Sequence, residues 1–261
     1  MSVSVLKCPS CGAPADEGAR TCGYCGCSLL PDAIGFGLLS ADGVQLERLF
    51  KAAQEKLKLD PDDAMALCHL GVCYLKRGQY DQAIKELERA AELLPQAWGV
   101  YYLQAFAVAV GRSWLNPQVE QLAKKALSLN PQMKEAQSLL RIYAGVSLAE
   151  SDSDADYEAA VKEYRQALDF AVPEQAPYLY FFSGQAFDQA GDADDAINMY
   201  QQACKLGYSS PEVFVRLGVL LQQAGRPHEA LFELERAERL DPANMTVKDL
   251  LARLRAGTPG S

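Results

Sequence analysis

Five of the chain's eight cysteines lie close together near the start of the sequence, between Cys8 and Cys27. Two residues separate Cys8 from Cys11, and two separate Cys22 from Cys25. Two such pairs can place four thiolates tetrahedrally around Zn²⁺ and close its coordination shell. Cysteines that cluster in a reducing compartment are more often metal ligands than disulfides. The spacing therefore predicts one structural zinc ion bound by Cys8, Cys11, Cys22 and Cys25.

The sequence around the two pairs, CPSCG and CGYCG, resembles the zinc ribbon found at the N-terminus of many bacterial multidomain proteins. Glycine follows each pair, and glycine permits the positive φ that turns backbone N–H groups toward the sulfur atoms. Because so short a segment has no adequate apolar core, zinc would supply its folding free energy, about 10–16 kcal/mol in comparable peptides. We interpret Cys27 as a spare thiol, with a ligand or redox role as the alternative. The resemblance implies a small β domain over residues 1–30, followed by a linker over residues 31–41.

Composition and charge narrow the functional classes. Apolar residues make up 49% of the chain and charged residues 23%, which is typical of a globular protein. The net charge of −9 argues against a general affinity for nucleic-acid phosphates. The most apolar stretch, Val100 to Val110, is shorter than the about 20 residues that a membrane-spanning helix needs. Since no signal peptide opens the sequence, we expect a soluble cytoplasmic protein with no membrane or nucleic-acid partner.

Downstream of the cysteines, small residues recur at fixed offsets. Two segments share one pattern of glycine, glycine, alanine, alanine and proline: Gly71, Gly78, Ala83, Ala90, Pro95 and Gly218, Gly225, Ala230, Ala237, Pro242. A third segment repeats the first four positions: Gly184, Gly191, Ala196 and Ala203. Gly184 lies 34 residues before Gly218, and this period resembles the tetratricopeptide repeat. The resemblance implies a mainly α fold in which helix pairs stack into a superhelical solenoid.

The glycines of this pattern have two separate physical roles. Three of them are predicted inside the first helix of a pair, where a neighbouring helix can approach closely: Gly71, Gly184 and Gly218. Three others are predicted to end that first helix in the left-handed conformation: Gly78, Gly191 and Gly225. Proline then ends the second helix.

The repeat pattern also predicts how the rest of the chain is divided. A helical array is expected over residues 42–257, beginning with a flanking helix at 44–59 and ending with a capping helix at 245–256. The five repeats between these helices are expected at about 64–97, 98–133, 134–176, 177–210 and 211–244. In the second repeat, Asn116 and Pro117 are typical of an N-cap followed by the first residue of a helix.

Residues suited to catalysis are few outside the cysteine cluster. His69 and His228 are the two histidines, and neither belongs to a recognisable arrangement with cysteine or serine. Cys68, Cys73 and Cys204 fall within predicted helices, where cysteine usually packs as a small apolar group. We therefore predict that the protein is not an enzyme.

The resemblance to tetratricopeptide arrays also implies a function, because such arrays bind peptides or helices in a concave groove lined by first helices. The groove positions implied for this sequence are Met65, Cys68, Val72, Leu75, Tyr101, Gln104, Val108, Tyr178, Phe181, Gln185, Val215 and Val219. Among the basic residues, only Lys76 and Arg216 lie near these positions, so an apolar segment or helix is favoured over an acidic tail. We expect a protein-binding adaptor or scaffold. The alternatives are a zinc-thiolate redox sensor that regulates the array surface and an adaptor associated with nucleic acid.

Overall fold

The computed structural model describes residues 6–7, 14–15, 42–150, 153–170 and 172–257. The five clustered cysteines and the linker over residues 31–41 lie outside these ranges, so the predicted ligands have no structural account. Two short strands are described in this region, β1 at Leu6–Lys7 and β2 at Pro14–Ala15. They pair antiparallel, with Leu6 opposite Ala15 and Lys7 opposite Pro14.

The described residues from position 42 onward form twelve helices, and the chain divides into two compact units at Tyr143 and Ala144. The first unit contains α1 Gly43–Leu59, α2 Ala64–Lys76, α3 Tyr80–Leu93, α4 Trp98–Gly111 and α5 Pro117–Leu129. Helix α6, Lys134–Ala149, crosses the boundary. The second unit contains α7 Asp154–Leu168, α8 Ala176–Gln189, α9 Ala193–Lys205, α10 Pro211–Gln223, α11 Pro227–Leu240 and α12 Met245–Gly257. The predicted mainly helical class is confirmed.

Side-chain caps explain where several helices begin. Asp42 Oδ1 accepts a hydrogen bond of 2.8 Å from the backbone N–H of Gln45, whose side chain accepts one of 3.1 Å in return. At the start of α5, Asn116 Oδ1 accepts from the N–H of Gln118 at 3.0 Å and Pro117 follows as the first helical residue. The predicted cap and proline start of α5 are therefore confirmed.

The ends of the first helices are set by glycine. Gly78, Gly191 and Gly225 have φ values of 72°, 82° and 72°, which confirms the predicted left-handed conformation. Gly207 ends α9 in the same way, with φ 92°. There the N–H of Tyr208 donates to the carbonyl of Ala203 at 2.9 Å, which turns the chain sharply at the end of α9.

Three glycines inside helices mark close contacts between the two helices of a pair. A Cβ atom built on Gly71 would lie 2.6 Å from Leu87 Cγ, and one built on Gly218 would lie 2.6 Å from Leu234 Cγ. At Gly184 the opposing group is the ring of Tyr200, also 2.6 Å away. The predicted close approach is confirmed, because no side chain larger than hydrogen fits at these positions.

The second unit buries its alanine pattern and its last helix in one apolar core. Ala196, Ala203, Ala230 and Ala237 are fully buried, as the repeat pattern requires. Helix α12 packs on the same core through Val247, Leu251 and Leu254. In the first unit, α1 packs on α2 through Ala53, Ala66 and Leu70. Each unit therefore covers the open face of a helix pair with an additional helix.

Candidate protein-binding surface

The predicted groove positions of the first unit are mostly buried. Five of the seven have almost no exposed surface: Cys68, Val72 and Leu75 on α2, and Gln104 and Val108 on α4. Only Met65 and Tyr101 are partly exposed. These five side chains pack against protein, so they do not line an open groove in this structure.

Burial also controls the chemistry of the cysteines and the histidine on α2. It raises the pKa of Cys68 to about 12 and lowers the pKa of His69 to about 4, with Lys56 adding to the second shift. Cys73 donates to the carbonyl of Leu46, 3.6 Å from its sulfur, and burial raises its pKa to about 12. These groups are neutral at pH 7, and a neutral buried thiol is a poor nucleophile.

In the second unit, one of the predicted groove positions on α8, Phe181, is buried. Phe181 is 4% exposed and belongs to the core. The Phe181 ring stacks on the Tyr208 ring with a centroid distance of 4.5 Å. Tyr178 makes an edge-on contact with the Tyr208 ring, with a centroid distance of 5.6 Å. The reason is the turn at Gly207, which brings the following tyrosine back over α8. An apolar residue directly after a helix-ending glycine is the sequence signal for this contact.

Polar side chains of α8 and α10 meet beside this aromatic cluster. Gln185 Nε2 on α8 donates to Glu212 Oε1 on α10 at 3.0 Å, and Arg216 Nη1 lies 3.6 Å from Asp188 Oδ2. Burial raises the pKa of Asp188 even though Arg216 opposes that shift. The carboxylate is therefore only partly compensated by its cation.

Residues of α8, α9 and α10 line a small open cavity, which we name the Tyr200 pocket. Its volume is about 110 Å³, and it is lined by Gln185, Asp188, Gln189, Tyr200 and Arg216. The Tyr200 side chain is fully buried, and its hydroxyl has no hydrogen-bond partner among the described residues. Burial and the charge of Asp188 raise the pKa of this hydroxyl, so it stays protonated. The pocket thus presents a neutral hydroxyl next to a carboxylate.

A second concavity, which we name the α10 cavity, lies along the first half of α10. It has a volume of about 520 Å³ and is lined by Ser210, Pro211, Glu212, Val215, Arg216, Asn244 and Thr246. Arg216 lines both this cavity and the Tyr200 pocket. Val215 and Val219 are partly exposed and lie one turn apart on α10. Of the predicted groove residues of this unit, Gln185 thus lines the pocket and Val215 the cavity.

Sequence reasoning missed Asp188 and Tyr200 as parts of this surface. Tyr200 lies on a second helix, whereas the groove was predicted from first helices only. The alignment of repeats holds a signal, because Tyr200 stands where Leu87 and Leu234 stand in the other two copies. A tyrosine in place of leucine extends beyond the core contact and ends in a polar group.

The part of the chain that the structure describes offers neither a metal cluster nor a membrane-spanning helix. It contains no group of three or more His, Cys, Asp or Glu side chains that could hold a metal ion. No helix in this part is both long enough and apolar enough to cross a bilayer. His228 lies on the surface near the start of α11, distant in sequence from the buried His69.

Comparison with known proteins gives matches to repeat proteins. Two family models described as tetratricopeptide repeat match this chain, one at residues 64–96 and the other at 153–211 and 183–245. The Protein CTR9 homolog of Arabidopsis thaliana is 26% identical over 216 residues, which are 80% of this chain and 19% of that protein. A small glutamine-rich tetratricopeptide repeat-containing protein 2 of Mycosarcoma maydis is 32% identical over 38% of this chain and 28% of its own length. The chain therefore spans less than a third of either relative.

Solved structures agree on the fold. The crystal structure of the APC/C hetero-tetramer Cut9-Hcn1 contains a chain that superposes with a TM-score of 0.60, at 17% identity, over 81% of this chain and 40% of that one. At this identity the likeness concerns the fold alone. Together with the glycine contacts and the helix-ending turns, these matches show that the chain carries tetratricopeptide repeats at residues 64–96 and 153–245.

Proposed function

We propose that this chain is a non-enzymatic adaptor that binds a partner protein on the surface formed by α8 and α10. The observation that carries the proposal is the combination of partly exposed apolar residues with two concavities on neighbouring helices. Val215 and Val219 offer apolar contact, and the Tyr200 pocket and the α10 cavity offer depth. Concave surfaces with apolar walls and a few polar groups are typical of binding sites.

An apolar segment or helix is the partner that this surface favours. Tyr178 and Val215 supply contact area, while the charged groups of Asp188, Glu212 and Arg216 lie beside them. A helix laid along a groove uses the same combination of apolar anchors and a polar rim. The Cut9-Hcn1 hetero-tetramer, an assembly of two proteins, contains a chain of similar fold. We place the protein in the cytoplasm.

The same proposal includes a zinc ribbon that holds one structural Zn²⁺ through Cys8, Cys11, Cys22 and Cys25. Support comes from β1 and β2, which pair on either side of the sequence that carries Cys8 and Cys11. Pairing at Leu6–Ala15 and Lys7–Pro14 is compatible with a hairpin that bears the first cysteine pair. Four thiolates close the coordination shell, so the ion would stabilise this segment and take no part in catalysis.

The proposed function is tested by affinity capture with a variant of the surface and a matched control. Val215→Asp places a charge on α10, and Val44→Asp makes the same change at a valine that is 61% exposed on α1. Native protein and Val44→Asp should capture the same partner, and Val215→Asp should lose it. A titration of that purified partner then gives the dissociation constant. Equal affinity for Val215→Asp and native protein would refute binding on the α8 and α10 surface.

A further inference from the structure

The Tyr200 pocket contains a polar group that the fold itself does not use. Tyr200 packs under Gly184, where its ring replaces the leucine found opposite Gly71 and Gly218. The hydroxyl is carried past this contact and reaches the pocket, where no described residue bonds to it. A buried hydroxyl without a partner is destabilising, and leucine serves the packing role equally well elsewhere in the chain. The Tyr200 hydroxyl thus keeps hydrogen-bonding capacity that no described residue uses.

The charges around the pocket indicate which ligand this is. Asp188 lines the pocket with one carboxylate and Arg216 with one guanidinium. Glu212 adds a second carboxylate beside the pocket, where it accepts from Gln185. Arg216 is 56% exposed and lies 3.6 Å from the carboxylate, so it neutralises Asp188 incompletely. The Gln185 amide already donates to Glu212. A second cation is therefore better accommodated than an anion, and the net charge of −9 attracts cations over a longer range.

We infer that the Tyr200 pocket binds the cationic side chain, arginine or lysine, of the partner segment. The N–H groups of that cation would donate to the Asp188 carboxylate and to the Tyr200 oxygen, both of which accept hydrogen bonds. A volume of about 110 Å³ suits the end of one side chain. The inference rests on the proposed function, because it adds one basic residue to the apolar segment bound by α8 and α10.

The binding of small probes tests this inference without a partner protein. The full chain is titrated with N-acetyl-arginine amide, with the neutral analogue N-acetyl-citrulline amide and with N-acetyl-glutamate amide, followed by NMR. We expect the arginine probe to shift the signals of Gln185, Gln189 and Arg216, and the other two probes to leave them unchanged. Failure of the arginine probe to shift these signals overturns the inference. Binding of the glutamate probe in its place also overturns it.

Three variants assign the binding to this pocket. Tyr200→Phe removes only the hydroxyl and should weaken the arginine probe about tenfold, the factor typical of a hydrogen bond to a charged group. Tyr164→Phe is the matched control, since Tyr164 packs on Gly145 as Tyr200 packs on Gly184. Asp188→Asn should weaken the probe further. An equal effect of Tyr164→Phe and Tyr200→Phe would overturn the inference.

Arg216→Ala tests whether the ligand of the pocket is positively or negatively charged. If the pocket binds a cation, removal of the exposed guanidinium frees Asp188 and strengthens binding of the arginine probe. If the pocket binds an anion, the same variant abolishes binding of the glutamate probe, and the inference is wrong. The two proposals fail separately. If the arginine probe does not bind but Val215→Asp still loses the partner protein, only the cation pocket is rejected. If the arginine probe binds as expected but Val215→Asp binds the partner protein as well as native protein does, only the apolar surface is rejected.

Discussion

Substitution of Gly218 by alanine tests the packing of the repeats with one added methyl group. The new Cβ would lie 2.6 Å from Leu234 Cγ, 2.9 Å from Leu234 Cδ2 and 3.4 Å from the carbonyl oxygen of Ala230. Leu234 is fully buried, so its side chain has no solvent space into which it can rotate. Helices α10 and α11 must therefore separate. Such overpacking typically lowers the free energy of unfolding by about 1–3 kcal/mol.

The measurement is thermal unfolding followed by the far-UV circular dichroism of the full chain. A loss of about 1–3 kcal/mol corresponds to a melting temperature lower by about 3–9 °C for a chain of this size. Gly43→Ala is the matched control, because a Cβ at Gly43 meets no atom within 4 Å. This control should leave the melting temperature unchanged or slightly higher.

A second variant separates packing from a general effect on helix α10. Leu234→Ala alone creates a cavity and lowers stability, but in the Gly218→Ala background it also removes the clash. The two changes should therefore be less destabilising together than the sum of the single effects. Additive effects, or equal melting temperatures of Gly218→Ala and Gly43→Ala, would refute the close approach of α10 and α11 at this position.

Three further predictions concern the zinc site, pH and a helix end. Cys22→Ser should abolish zinc binding, measured by metal analysis, and leave the helical circular dichroism signal unchanged. The control Cys204→Ser should keep both the zinc and the helical signal. Zinc retained by Cys22→Ser would contradict the proposed ligand set. The pKa of His69 is lowered from 6.5 to about 4, so the folded state binds fewer protons and stability falls as the pH drops from about 6.5 to 4. The loss is about 3 kcal/mol at most, measured by denaturation at each pH, and His69→Gln should flatten the profile. Gly225→Ala places a side chain on a residue with φ 72° and should lower the free energy of unfolding by about 1–2 kcal/mol. The cost comes from the backbone conformation, because the new Cβ meets no atom within 4 Å. A neutral effect in a denaturant titration would argue against the left-handed turn.

Local features of the helical part were predictable because glycine and proline act on the backbone directly. A left-handed turn is tolerated best by glycine, so Gly78, Gly191 and Gly225 could be placed at helix ends from sequence alone. The same holds for Pro117, whose ring suits the first position of α5. The period of 34 residues then predicted the contact of Gly218 with the second helix of its pair.

The partner surface was less predictable, because exposure depends on which chain segments cover a helix. Phe181 and Val215 occupy equivalent positions in their repeats, yet the phenylalanine is buried under Tyr208 and the valine remains partly exposed. The repeat pattern is the same at both positions and does not report what the connecting turn brings over each of them.

The sequence by itself determined the helical repeats and their helix-ending turns, since these depend on backbone preferences and on spacing along one chain. Only the tertiary structure decided that the Tyr200 hydroxyl, the Asp188 carboxylate and the Arg216 guanidinium share one pocket. These groups come from three helices, and their meeting depends on the angle and distance at which the helices pack. A tyrosine opposite Gly184 fills the same core position as leucine, but its polar end acquires a role only from the neighbours that the fold places around it.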